Sequence, residues 1–262
     1  TRSGAEVCAL DRLAPWLAGY KREMEDNDSF SASIMLRNGI PQDVVYALRA
    51  VSASFRAWGA AAHVTRPLAH GETLQFASRA WRVLHRPGHS PSDTVFWDEA
   101  SGELFGGDHL IKHISSNPLL SKPLELPSPG AETGKGEEVD PLSSSREHER
   151  PRALMTYLES LRQTREMDLA VVYSGHGDPV ENHRDLIDER LRMHRRRADK
   201  LCGLIQARPR NAYELAQEMW GNVAVTQAFL TLSEVLGHVD LLIEAGRAVE
   251  RETDRVVYFE AP

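Results

Sequence analysis

The chain predicts an α+β protein in two parts, one spanning 1–181 and a smaller one spanning 182–262. Three observations predict it. First, three short apolar runs, Trp81-Arg82-Val83-Leu84, Leu104-Phe105 and Leu169-Ala170-Val171-Val172-Tyr173, each end in a loop of Gly, Pro and Ser that holds up a His or an Asp. Strands that stop in tight loops read this way. Second, helical periodicity fills the stretch before the first run and returns ahead of the third. Third, the last third of the chain reads as three helices and then a hairpin.

In chain order, residues 9–62 are helix-rich. Leu10, Leu13, Leu17 and Tyr20 recur at helical spacing, and Val44, Leu48, Val51 and Phe55 repeat it after a helix start at Pro41-Gln42-Asp43. The acidic run Glu23-Met24-Glu25-Asp26-Asn27-Asp28 between them reads as a solvated turn. Met35 and Trp58 belong to apolar stripes that are core or packing surface more often than pocket wall.

Residues 63–122 alternate strands and turns. Leu68 to Leu74 reads as two strands across His70-Gly71, Trp81 to His85 leads into the His89 loop, and Thr94 to Trp97 pairs with Glu103 to Phe105 across Ser101-Gly102. The stretch at about 121–151 contains Pro127-Ser128-Pro129-Gly130 and Ser143-Ser144-Ser145 and almost no large apolar residue. It predicts a mobile insert, either a flap over substrate or a tolerated surface loop. A helix at 153–164 follows, with Leu154, Leu158 and Leu161 on one face, and then the strand that delivers His176.

From 182 onward Ile187, Leu191, His194, Ala198, Leu201 and Ile205 mark a long helix, while Arg192, Arg195, Arg196 and Arg197 mostly face away from that stripe. A second helix follows the Asn211 cap, and a third is expected over 223–245 with Phe229, Leu232, Leu236, Val239 and Leu242 inward. Gly246 ends it, and a hairpin turns at Thr253-Asp254. This is winged-helix order. The third helix carries Glu234, Asp240 and Glu244 against a lone Arg247, which argues for a packing or lid role ahead of DNA recognition.

The loops carry the chemistry. Arg86-Pro87-Gly88-His89-Ser90-Pro91-Ser92-Asp93, Gly106-Gly107-Asp108-His109 and Ser174-Gly175-His176-Gly177-Asp178-Pro179 bring imidazole, carboxylate and imidazole to strand ends, as a divalent-metal site requires. In this order the three pieces resemble the metallo-β-lactamase superfamily, specifically its glyoxalase II-like hydrolases with a C-terminal winged helix. The resemblance covers most of the chain. It implies an αββα sandwich over 1–181, N-terminally incomplete, followed by a winged-helix-like domain over 182–262. It also implies that His89 holds one metal, that Asp108 bridges two and orients the attacking hydroxide, and that His176 holds the second metal. His109 and Asp178 are candidates to steady those ligands from behind, with Asp178 equally placed to cap the turn before Pro179. Two zinc ions are the expected cofactors, and iron or manganese also suits such ligands. The family's HxHxDH loop, which supplies further ligands, does not occur between Thr1 and His89. It is expected upstream of Thr1; without it the site would hold metal weakly or stand empty.

Composition narrows the remaining choices. At 262 residues, 41% hydrophobic and 26% charged, the chain can bury a sizeable core. A net charge of −7 argues against a general polyanion binder, though a local basic patch stays open. Only two cysteines, Cys8 and Cys202, are present and far apart, which suits small apolar residues in a reducing cytoplasm. No run is long enough to span a membrane. The expected function is hydrolysis by a metal-bound hydroxide, on a small ester or thioester. The alternatives are an endoribonuclease or other phosphodiesterase of the same fold, and a non-catalytic binding or assembly protein whose open sheet edge is covered by a partner or in a homodimer.

Overall fold

A computed structural model describes residues 3–124 and 150–262. The insert predicted at about 121–151 falls for the most part outside the described residues. Five strands form the main sheet: β3 (Thr73–Phe76), β4 (Arg79–His85), β5 (Thr94–Asp98), β6 (Glu103–Gly107) and β7 (Val171–Ser174). They lie side by side in that order. The first four are antiparallel, and β7 joins β6 in parallel through α4 (Ala153–Arg165). Gly102, at φ 70°, turns the β5–β6 hairpin where Ser101-Gly102 predicts it.

Leu84, Val95, Leu104 and Val172 point from one sheet face onto Leu154, Tyr157, Leu158 and Leu161 of α4 and onto Ile187. Each such fully buried side chain contributes roughly 1.5–3 kcal/mol. On the opposite face Phe76, Trp81, Phe105 and Tyr173 form a ladder of neighbouring rings with centroids 4.7–5.5 Å apart, and the Arg79 guanidinium lies over Trp81.

A second core joins distant parts of the chain. Here β1 (Cys8–Leu10) pairs in parallel with β2 (Arg66–Leu68), and α1 (Ala14–Ala18), α2 (Tyr20–Arg37) and α3 (Gln42–Arg56) lie between them in sequence. Ala32, Ile34, Met35, Ile40 and Val45 pack in one cluster with Leu201, Leu215, Leu236, Val257 and Phe259. The C-terminal part runs α5 (His183–Ala207), β8 (Arg210–Asn211), α6 (Ala212–Trp220), α7 (Val223–Thr226), α8 (Ala228–Glu244), β9 (Val249–Thr253) and β10 (Val256–Glu260), and these residues come from α5, α6, α8 and β10. The three strands form a small sheet with β10 central. Asn211 caps α6 in a reciprocal box with Glu214.

Four expectations are corrected. The acidic run 23–28 is helical, because the polar face of α2 is occupied: Asp28 accepts from Ser52 and Arg56 of α3, Asn27 from the Lys122 amide, and Asp26 pairs with Lys122. β2 pairs with β1 and not with β3, which buries Leu68 against Leu10; the turn at His70-Gly71 exists but joins strands of different sheets. The helix expected over 223–245 breaks at Gln227 into α7 and α8. Cys202 is buried as expected, but Cys8 is exposed. Met35 lies in the core, as its stripe predicts, whereas Trp58 is exposed.

Along α8, Glu234 and Asp240 are buried, facing Arg197 and Arg150 respectively. A buried carboxylate is tolerated when it is paired and expensive when it is stranded. The acids that look like surface charge in the sequence are therefore internal partners of arginines.

Burial also holds several imidazoles neutral. His109 and His194 are pushed down to about 3, and His85, His183 and His238 are lowered, in every case chiefly by desolvation. In the unfolded chain these groups take up protons near the ordinary histidine value, whereas in the folded protein all five resist protonation to lower pH, His109 and His194 until about pH 3. Their contribution to stability is therefore complete above pH ~6.5 and is lost as pH falls through the acid range. Thermal unfolding followed from pH 8 to pH 3.5 is expected to give a flat midpoint above neutrality and a steep fall below pH ~6.

Candidate metal centre

The predicted ligands come from three strand ends. β4 runs into the His89 loop, β6 into Asp108 and β7 into His176. The parallel β6–β7 ladder pairs Gly107 with Ser174 across a register irregularity, and the Gly175 amide donates to the Gly107 carbonyl at 2.7 Å. Asp108 and His176 are thereby set side by side. Gly175 has a steric reason: a Cβ there would stand 2.4 Å from Asp108 Oδ1. The turn glycines Gly107 and Gly177 take positive φ, 51° and 76°.

His89 Nε2 lies 3.7 Å and His176 Nε2 3.6 Å from the same oxygen, Oδ2 of Asp108. These separations exceed a hydrogen bond. They are close to the roughly 3.4 Å edge between donors of a tetrahedral site with bonds of about 2.0–2.1 Å. His89 Nδ1 sits 3.1 Å from the Asn117 carbonyl, an acceptor only, so Nδ1 carries the proton and the Nε2 lone pair faces Asp108. Each imidazole nitrogen paired with the shared carboxylate oxygen gives the donor types a divalent cation takes, and the His89 imidazole is already fixed in the ligating tautomer.

The supporting loops are tightly made. Asp93 accepts from both the amide and the hydroxyl of Ser90, which closes the loop around His89, and burial raises its carboxyl above the ordinary range. The Ser116 hydroxyl donates to the Asp108 carbonyl, and Ser174 Oγ donates to the Leu110 carbonyl. Gly88 is seated on Tyr157, where a Cβ would meet the ring at 2.4 Å.

His109 and Asp178 have other partners. His109 is fully buried, with Nε2 2.8 Å from Thr164 Oγ1 on α4, while Tyr157 OH donates to its carbonyl; it pins the loop behind Asp108 to the helix. Asp178 is exposed and lies 3.4 Å from His113 Nε2.

A tighter cluster of ligand-type atoms lies elsewhere among the described residues. His194, Glu234 and His238 offer ligand atoms within 4.8 Å of one another, all three side chains buried. Glu234 is ion-paired to Arg197, His238 Nδ1 lies 2.6 Å from the Glu234 carbonyl, and its Nε2 meets His194 Nδ1 at 3.0 Å. Internal hydrogen bonds and a cation thus already occupy this cluster. Sequence reasoning placed His194 on the inner stripe but did not reach His238, whose i,i+4 spacing from Glu234 was the available signal.

The chain matches no family model. A metallo-beta-lactamase family protein from Thermus thermophilus superposes with TM-score 0.72 at 21% identity, over 99% of this chain and 72% of that one. A beta-lactamase domain protein from Burkholderia ambifaria gives TM-score 0.73 at 22% identity, over 98% and 67%. The chain has the fold of the metallo-β-lactamase superfamily. Among curated proteins, a probable metallo-hydrolase of Bacillus subtilis is 28% identical over 247 residues, 94% of this chain and 70% of the relative. An atrochrysone carboxyl ACP thioesterase of Aspergillus fumigatus is 24% identical over 162 residues, 62% of this chain and 31% of the relative. In this metallo-β-lactamase fold the three ligand-type side chains occupy one end of the sheet, where strand-end loops meet.

Replacing Gly175 with Ala is expected to push the Asp108 carboxylate out of place. Metal affinity should drop about tenfold or more, while stability changes by no more than about 2 kcal/mol. Zinc titration and thermal unfolding of the variant check the two parts separately.

Proposed function

We propose that the chain carries the metal-dependent active site of a hydrolase acting on a small-molecule ester or thioester. The convergence of His89 and His176 on one oxygen of Asp108 carries this reading. His89 would hold one metal, His176 a second, and Asp108 would bridge them, with zinc, iron and manganese all compatible. A divalent metal there supplies Lewis acidity, polarising a substrate carbonyl and acidifying water. The chain's own part is positional. The Asn117 carbonyl fixes the His89 tautomer, the Gly175 amide ties the His176 loop to the Asp108 strand, and Ser116 holds the Asp108 backbone.

Two observations support an ester or thioester. A cavity of about 220 Å³ adjoins the His89 loop, lined by Pro87, Gly88, Pro91, Leu119 and Leu124 together with Arg12, His85 and Ser90; the candidate ligands do not line it, and its apolar walls suit an acyl group placed beside them. One relative is named as a thioesterase. The phosphodiester alternative lacks such support. α8 is buried along most of its length and offers little face to a nucleic-acid groove, which bears on helical recognition of DNA and not on cleavage at the metal centre. No helix among the described residues is long and apolar enough to cross a membrane.

The test is a panel of acyl thioesters, simple esters and single-stranded RNA, assayed with zinc or manganese on protein from the complete reading frame. Thioester or ester cleavage is expected, with loss of about 100-fold or more in the Asp108→Ala variant at unchanged circular dichroism. Full activity in that variant, or cleavage of RNA alone, would contradict the reading.

A further inference from the structure

The segment 111–120 runs between the candidate metal centre and the C-terminal helices, and both sides hold it. On the metal side, its Asn117 carbonyl fixes His89 and its Ser116 hydroxyl binds the Asp108 carbonyl. On the helical side, Arg190 of α5 is buried and its Nη2 lies 3.3, 2.9 and 3.3 Å from the carbonyls of Ile111, Lys112 and Ile114. Asn117 Nδ2 donates to the Leu230 carbonyl of α8 at 3.0 Å, and the Leu120 amide donates to Ser233 Oγ at 3.3 Å.

The histidine pair continues this grip. The Glu234 carbonyl can only accept, so His238 Nδ1 donates to it and His238 Nε2 is an acceptor. His194 Nδ1 must then donate to His238, which leaves His194 Nε2 as an acceptor facing the Ser115 hydroxyl at 3.4 Å. The directions of the two imidazole bonds follow from that one carbonyl, and the Ser115 hydroxyl lies 3.4 Å from both His194 Nε2 and the Ser116 carbonyl. Neither imidazole is a candidate ligand at the metal centre and each already has hydrogen-bond partners, so together they form a fixed seat beneath Ser115.

We infer that the C-terminal helices are a clamp for the metal loop, with Arg190, Asn117 and His194 as positioning residues that set the metal affinity of His89 and Asp108 without touching metal. This rests on the metal-centre reading above and assigns a task to the C-terminal part of the chain. The cost of a misplaced loop falls on the ligands because Asn117 serves both sides through one residue, its backbone oxygen orienting His89 and its side-chain nitrogen anchored on α8.

The decisive variants are Asn117→Ala, which removes the α8 anchor but keeps the backbone carbonyl, and Arg190→Gln with Arg190→Lys as the conservative rescue. Two readouts on the complete protein are needed, zinc affinity and the hydrogen-exchange rate of the 115–119 amides without metal. Asn117→Ala and Arg190→Gln should weaken zinc binding about 10–100-fold, as losing a partner behind a ligand does, with faster amide exchange and partial recovery in Arg190→Lys. Parental zinc affinity together with parental exchange in both variants would overturn the clamp. If the parent protein binds no zinc, the metal-centre reading fails on its own, and the exchange rates alone uphold or overturn the clamp.

Discussion

Parallel pairing of β6 with β7 is the constraint on which the site depends. Two parallel neighbours end at the same edge of the sheet, so Asp108 and His176, each placed just after its strand, are forced into one neighbourhood. An antiparallel arrangement would have sent them to opposite ends of the sheet. The β4 strand, two places away, completes the set because its loop folds back through Asp93 and Asn117 to bring His89 to the same carboxylate oxygen. The crossover that makes β7 parallel contains α4, and α4 also supplies Thr164 and Tyr157, which pin His109 behind Asp108. Topology and site are therefore one arrangement.

Buried polar groups distinguish this interior from a plain apolar core. Arg197–Glu234 joins α5 to α8, the triple carbonyl contact of Arg190 joins α5 to the 111–120 segment, and Arg150–Asp240 ties the residues before α4 to α8. Such groups add little net stability when paired and cost several kcal/mol when one partner is removed. Between α5, α8 and the 111–120 segment, only a register that keeps Arg197 on Glu234 and Arg190 on the 111–114 carbonyls avoids that cost. Under the proposed clamp, small displacements at the helices would reach His89 and Asp108 through Asn117 and Ser116.

Strand-end loops were the most legible part of the sequence, because Gly, Pro and Ser after an apolar run signal the turn and the lone His or Asp signals the chemistry. That signal points to His89, Asp108 and His176, which the structure brings to one end of the sheet, and local turn and cap signals gave the β5–β6 and β9–β10 hairpins and the Asn211 cap. Pairings decided at long range were not legible. Nothing local in Arg66–Leu68 says that its partner is Cys8–Leu10, and the alternation around His70-Gly71 points to the wrong neighbour. The acidic run 23–28 was misread because its partners, Ser52, Arg56 and Lys122, lie far along the chain. The same limit hid Glu234 and Asp240, whose burial is set by arginines on other elements. His109 and Asp178 sit beside ligand-type residues in sequence, yet side-chain direction gives them to Thr164 and His113.

The central claim is that Asp108, shared by His89 and His176, is the heart of a metal centre. It is tested most directly by elemental mass spectrometry of protein made from the complete reading frame, purified without chelator and compared with its Asp108→Asn variant. About two divalent metals per chain in the parent, falling below one in the variant at unchanged fold, is the predicted result. A parent that retains no metal after incubation with zinc and manganese, or a variant that retains all of it, would contradict the account.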